Sequence, residues 1–540
     1  MATLVRVGLG ISLALALIGC SGGSATQKPD GGPGGSSPGG RGGQSGHGGA
    51  SGGSAAGQSG ADASAGTGGG GRTAGAGGTS PAGAGGGGGS GAVVGTGGGG
   101  GGRAGANGGG TTGTGGLGGS GGGALAGAGG PAAGGSGGNV CETSVSGIIR
   151  DPAGIMPVYR AHVYAPSAPL AAVPEGISCT ACGTPTSGQP IADTITDTQG
   201  RFKLVGVPAG SNIPLVIQLG KWRRQITVPS VLPCTEIALT DSNLTRLPRN
   251  SSEGHLPRIA LTTGSASAIE CWLRKVGISD SEFTPETGAG RVHLFFGGAG
   301  DSSGSGAQQL TSGESFTDAY TSLFANPTKL ASYDMVLLGC EGEQLSAAKD
   351  PYTANIKGYA DGGGRILAEH FQSYWVRRGP TPWPATANWL NAVSADIPSP
   401  LTAVLDASSA DGMALEAWVT GWGVAANGQL SVYGAQHSLT SVIAPTQQWL
   451  VVPPMAGPLG TTDAAPLLMS FATPVEATSG PQCGRVDFTD IHSDAPTGGA
   501  GSSDPAVPFP QGCQGGILSA QELLVEFLFF DTPTCTQVAP

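Results

Sequence analysis

The sequence predicts a multidomain chain: a disordered glycine-rich linker, an all-β sandwich, then a doubly wound α/β domain carrying a β-rich insertion. Three observations predict this. Most of the 103 glycines lie between Ser21 and Asn139, a stretch nearly empty of large apolar side chains. From 140 to 250, apolar and polar residues alternate in short runs broken by Gly, Pro and Asp. Beyond 255, buried-type strands alternate with helical stretches.

At the N-terminus, Arg6 supplies positive charge and Val7 to Ile18 form an apolar run of about a dozen residues. That is too short to span a bilayer as a stable helix and suits a signal segment over 1–19. The run ends in Leu17-Ile18-Gly19-Cys20, which resembles the bacterial lipobox. The resemblance implies cleavage before Cys20, lipid on its thiol, and Ser21 in place of Asp implies sorting to the outer membrane of a Gram-negative cell. Several acyl chains then give stable attachment. The expected location is a lipid-anchored one, facing the periplasm or the cell surface, with the membrane as partner through the anchor.

Residues 20–139 read as the tether. Glycine gives up the most backbone entropy on ordering and offers no side chain to bury, so the tract cannot offset its folding cost. As a flexible coil it would span about 60 Å root-mean-square.

Net charge is −11 and the pI about 5.1. No basic run exceeds Lys221-Trp222-Arg223-Arg224, which argues against a nucleic-acid partner. Nine cysteines follow Cys20: Cys141, Cys179, Cys182, Cys234, Cys271, Cys340, Cys483, Cys513 and Cys535. In an exported chain they are disulfide candidates, with pairs expected inside each domain. Nine is odd, so one thiol stays free or bridges to another molecule. Cys179-Thr180-Ala181-Cys182 with Cys141 and Cys234 could hold zinc or form two disulfides; an oxidising compartment favours the disulfides. No metal and no cofactor is assigned.

The first folded domain, 140–250, contains the alternating runs Val145–Arg150, Ala161–Ala165, Arg201–Val205, Leu215–Leu219 and Gln225–Val228. Thr196-Asp197-Thr198-Gln199-Gly200-Arg201-Phe202, followed by Val207-Pro208-Ala209-Gly210, resembles the carboxypeptidase-regulatory or transthyretin-like sandwich. In that family these residues form a hairpin and a turn, for which Asp197 and Gly200 are suited. The resemblance implies a carbohydrate-binding-like fold without implying sugar binding.

The second domain, 255–535, opens with the strand Arg258–Thr262 and a helix Ser267–Val276. Strands Val292–Phe296, Tyr333–Leu338 and Arg365–Ala368 follow, with helical stretches near 316–324 and 353–360 between them. This alternation argues a parallel doubly wound sheet. Residues 395–475 read as the β-rich insertion. Ser519 followed by Glu522 marks a capping box opening the helix Ala520–Phe530, with Leu523, Leu524, Phe527 and Leu528 in the core.

The order Tyr333–Leu338, Tyr359–Leu367, Glu369-His370, then Gly484-Arg485-Val486 to His492 resembles the class I glutamine-amidotransferase-like, flavodoxin-like fold of the trehalose-utilisation type. The whole chain also resembles glycine-linked bacterial lipoproteins. Cys340-Glu341-Gly342-Glu343-Gln344 mimics the amidotransferase nucleophile elbow, but at the position of the family's own elbow this chain has Glu369-His370-Phe371. Without a thiolate there, acyl transfer lacks its attacking atom, and Cys340 is expected to pair with Cys271.

His370 and His492 would both stand at C-terminal ends of parallel strands, where open α/β sheets bind ligands. Glu369 and Asp490, with Glu341 and Asp494, could join them, a neutral-imidazole plus carboxylate set suited to a metal or to general acid/base work. The expected function is a surface-anchored, non-catalytic binding module for a glycan or an envelope protein. The alternatives are a hydrolase or sugar-modifying enzyme acting through His370 and His492, and an architectural envelope protein. An enzyme needs both histidines and a carboxylate converging; a glycan binder needs an exposed aromatic platform, for which Trp375, Trp383 and Trp389 are the candidates.

Overall fold

The computed structural model describes residues 141–179, 186–298, 306–390, 399–454, 463–475, 482–493 and 503–533. Cys20, the tract from 21 to 139, Cys182, Asp494 and Cys535 lie outside the described residues. The described residues belong to one compact unit, Ala126–Pro540, of mixed α/β structure with several sheets.

Seven strands come first: β1 (Ser144–Ile148), β2 (His162–Pro166), β3 (Pro190–Ile195), β4 (Arg201–Val205), β5 (Gly210–Leu219), β6 (Trp222–Val231) and β7 (Glu236–Leu239). They form a three-stranded sheet, β4-β1-β7, and a four-stranded sheet, β3-β2-β5-β6. Alternation decides which side chains turn inward: in β4, Phe202 and Leu204 are buried while Arg201, Lys203 and Val205 are exposed. The turn before β4 is built by Asp197, whose Oδ1 accepts from the amides of Gln199 (2.8 Å) and Arg201 (2.9 Å). Gly200 sits at φ +67°, where a Cβ would lie 2.4 Å from the Ile149 carbonyl oxygen. The expected hairpin is corrected here. β3 and β4 belong to different sheets, so this turn carries the chain from one to the other.

The large sheet begins with β8 (Ile259–Thr263), β9 (Phe283–Pro285), β10 (Val292–Phe296), β11 (Thr317–Asp318), β12 (Met335–Leu338) and β13 (Arg365–Glu369). The chain then forms β14 (Ala387–Trp389), β15 (Leu401–Leu405), β16 (Gln429–Val432), β17 (Leu439–Val442), β18 (Gln447–Val452), β19 (Ala465–Thr473) and β20 (Gly484–Thr489), all but β14 and β17 in the large sheet. Its order is β11-β10-β8-β12-β13-β20-β19-β18-β15-β16, with β9 also on β10; β14 and β17 pair separately. From β11 to β20 all pairings are parallel, and from β20 to β16 all are antiparallel. The five principal parallel strands lie as β10-β8-β12-β13-β20: second, first, third, fourth and fifth in chain order. The stretch from 399 to 475 thus extends the parallel half edge to edge.

Among the described residues, seven α-helices accompany the strands: α1 (Ile269–Lys275), α2 (Pro327–Ala331), α3 (Ser346–Lys349), α4 (Thr353–Asp361), α5 (Ser373–Arg377), α6 (Ala410–Gly421) and α7 (Ala520–Asp531). The parallel strands are apolar at successive positions because both sheet faces are covered. Ala260, Val336, Leu338, Ile366 and Ala368 share a core with Ile356 and Tyr359 of α4 and Trp375 of α5. Their neighbours Ile259, Leu261, Met335, Leu337 and Leu367 share another with α1, with Phe529 of α7, and with Val145, Val163 and Leu215 of the small sheets. Hydrophobic core therefore runs without a break from the small sheets into the large one. Helix α7 is buried all round, as an apolar helix between layers must be, and Ser519 with Glu522 forms its capping box. Among the described residues no helix is long and apolar enough to cross a membrane.

Among the described residues, three disulfides join Cys141 to Cys234, Cys179 to Cys483, and Cys271 to Cys513. Two expectations are corrected. Cys271 pairs with Cys513, which leaves Cys340 as the buried free thiol among the described cysteines. And Cys179–Cys483 crosses from the small-sheet segment to the large sheet, because the loop after β2 packs near the start of β20. Ile177 lies against Gly362 and Ser178 against Gly363, at the turn leading into β13.

Candidate functional site at the parallel-strand edge

Three adjacent parallel strands, β12, β13 and β20, end together: Leu338 pairs with Ala368, and Glu369 with Thr489. Within three residues of those ends the chain places Cys340, His370 and His492. Close approach of the β8 end fixes the β12 loop. A Cβ on Gly264 would lie 2.1 Å from the Cys340 carbonyl oxygen, so only glycine fits. His370 takes φ +40°, a left-handed conformation costly for a side chain larger than glycine.

His370 Nδ1 lies 3.2 Å from His492 Nε2 and 3.4 Å from Cys340 Sγ. The three atoms all fall within 4.8 Å of one another. Cys340 and His370 are buried, while His492 is half-buried and gives the cluster its access to solvent. Burial pushes the Cys340 thiol up to about 12, against hydrogen bonds to the sulfur from the backbone amides of Phe371 and Gly342. Burial, with His492 beside it, pushes His370 down to about 2 and keeps it neutral. His370 Nε2 is buried without a hydrogen-bond partner.

The carboxylates expected beside the histidines are engaged by donors from the surrounding loops, and Glu369 also by the backbone of Cys340. Glu369 is buried and accepts from the hydroxyl of Ser267, and from the amide (2.8 Å) and hydroxyl of Ser493. Burial raises its carboxyl above the ordinary range, and these donors work against that rise. Asp490 accepts from the amide (2.8 Å) and hydroxyl (2.7 Å) of Ser438, and burial pushes it up to about 7. Both serve to hold loops. Glu341 pairs with Lys349 at 2.8 Å, with both side chains buried. It also accepts from the Tyr320 hydroxyl (2.8 Å) and the Gly298 amide (3.1 Å).

Trp375 and Trp383 are buried in the core, and Trp389 is half-buried against Phe488, so these three present no open aromatic platform. Sequence reasoning paired the two histidines but missed Cys340 as their neighbour, and missed Ser267, Ser493 and Lys349 as the residues that hold the loops. One signal was available for Cys340: like both histidines, it follows a strand end almost at once.

No family model matches the chain, and no curated protein matches it. Among solved structures, a protein described as ThuA-like from Bacteroides uniformis is similar at 14% identity and a TM-score of 0.26, covering 51% of this chain and 90% of its own. A type II cohesin–X-dockerin complex from Acetivibrio cellulolyticus is similar at 19% identity and a TM-score of 0.13, covering 27% of this chain and 78% of that one. A 9R-lipoxygenase from Cyanothece is similar at 11% identity and a TM-score of 0.10, covering 19% of this chain and 17% of its own.

Proposed function

We propose that this chain is an exported, lipid-anchored protein whose α/β part works on a small polar substrate as a hydrolase or sugar-modifying enzyme of the trehalose-utilisation type, acting through His370 and His492. The two small sheets then form a carboxypeptidase-regulatory-type sandwich packed beneath it, and lipid on Cys20 with the tract 21–139 holds the whole at the outer membrane. One observation carries the reading: two imidazoles 3.2 Å apart, one half-exposed, at the C-terminal edge of adjacent parallel strands. The motif order from Tyr333 to His492 supports the same class. A glycan-binding module loses support because Trp375 and Trp383 are core residues.

The test is turnover by the full mature chain on chromogenic p-nitrophenyl esters, phosphoesters and glycosides, beside His492→Ala. The half-exposed His492 carries little core packing, so its variant should fold while activity falls by about 100-fold or more, the scale of losing an acid/base group. Circular dichroism checks the fold. No turnover on any class, or equal turnover in the variant, overturns the reading in favour of a binding or architectural protein.

A further inference from the structure

Both contacts of His370 Nδ1 draw on one atom. That nitrogen has either one lone pair or one proton, so hydrogen bonding cannot satisfy Cys340 Sγ and His492 Nε2 at full strength together. A cation would use the lone pairs of all three atoms at once. Zinc–nitrogen bonds near 2.05 Å and zinc–sulfur bonds near 2.3 Å place tetrahedral neighbours about 3.4 Å apart for two nitrogens and about 3.6 Å apart for sulfur and nitrogen. Two of the three separations, 3.2 and 3.4 Å, lie close to those edges, and the third, from Cys340 to His492, is within 4.8 Å and would close toward the sulfur–nitrogen edge on binding.

We propose that Cys340, His370 and His492 form a binding site for a borderline-soft divalent ion of the zinc class, with a fourth position open toward the half-exposed side at His492. The donor set is one thiolate and two imidazoles, which suits zinc and disfavours the hard ions magnesium and calcium. The surroundings suit it as well. Backbone amides of Phe371 and Gly342 hydrogen bond to Sγ, as outer partners of a bound thiolate do. The buried Lys349–Glu341 pair and the Ser267 and Ser493 bonds to Glu369 hold the flanking loops. Binding transfers the Cys340 thiol proton to solvent, and the thiolate electron pair becomes the metal–sulfur bond. Three protein ligands with one open position is the arrangement of catalytic rather than closed structural zinc.

This inference uses the same cluster as the proposed function and deepens it, yet its readout is metal binding rather than turnover. The full mature chain, stripped with a chelator under non-reducing conditions, is titrated with Zn²⁺ and, in parallel, with Co²⁺. One equivalent should bind, and the Co²⁺ form should show a sulfur-to-metal charge-transfer band that Cys340→Ser abolishes. His492→Ala should weaken Zn²⁺ binding by more than the roughly 10- to 100-fold that losing an outer-shell partner costs. Should Cys340→Ser fail to fold, His492→Ala and the charge-transfer band still decide the matter. No bound equivalent, no sulfur band, or unchanged affinity in His492→Ala overturns the site. Turnover that depends on His492 in a chain that binds no equivalent of Zn²⁺ or Co²⁺ would end this inference and leave the hydrolase reading standing. Zinc bound by these residues without turnover would do the reverse.

Discussion

Lys349→Met should be among the most destabilising single changes in this protein. The ammonium lies fully buried 2.8 Å from the Glu341 carboxylate, which is itself buried, and it also reaches the Phe371 carbonyl at 3.3 Å. Methionine fills much the same volume, so the loss is electrostatic rather than a cavity. Removing one partner of a buried ion pair costs about 3–5 kcal/mol because the other charge is stranded. Tyr320 and Gly298 still donate to Glu341, which points to the lower end, and the stranded Phe371 carbonyl adds about 1 kcal/mol. The expected loss is therefore about 4 kcal/mol. With a urea slope of at least about 3 kcal/mol/M for a unit of this size, the midpoint should fall by about 1 M. Urea unfolding followed by tryptophan fluorescence, with disulfides intact, measures it. The double variant Lys349→Met, Glu341→Gln removes the stranded charge and should recover most of the loss. A single-variant loss below about 1 kcal/mol, or a double variant no better than the single, would refute the reasoning.

Further outcomes are expected elsewhere in the fold. Asp151 and Glu526 are buried against each other, and they can hydrogen bond only while one keeps its proton; burial raises Asp151 to about 6 and Glu526 well above the carboxylate range. The unfolded chain releases these protons near pH 4 and the folded chain holds them, so stability should fall as pH rises from about 4 through about 6. Glu526→Gln should flatten that slope in urea midpoints taken across the range; an unchanged slope would assign it to other groups. Replacing Cys179 and Cys483 together by alanine should cost about 2–4 kcal/mol in the same assay, since this bridge closes a separation of 304 residues; an unaltered midpoint would mean the bridge constrains nothing in the unfolded chain. Ser519→Ala should cost about 1 kcal/mol by removing the α7 cap, and equal stability would show the capping box to be dispensable. Cys340 should resist alkylation until the chain is unfolded, because it is fully buried; rapid labelling of the native protein at that residue would contradict its position.

Local signals were legible in the sequence wherever the physics was local. The period of Arg201–Val205, the Asx turn at Asp197, the unbroken apolar run before Cys340 and the capping box at Ser519 depend on neighbours a few residues away. The sequence alone also placed His370 and His492 at strand ends. What it could not determine was which strands stand beside which. That order depends on core contacts between segments more than a hundred residues apart, and from it follow the crossing bridge from Cys179 to Cys483 and the core shared by the small sheets and β8. It likewise decided the fate of the acids. Glu369 and Asp490 read as catalytic candidates because carboxylates beside histidines usually do, yet burial without solvent demands donors, and Ser267, Ser493 and Ser438 supply them. Cys340 became the third member of the cluster for the converse reason: β12 lies next to β13, so its loop ends over the His370 ring, while Cys271 on α1 is drawn to Cys513 instead.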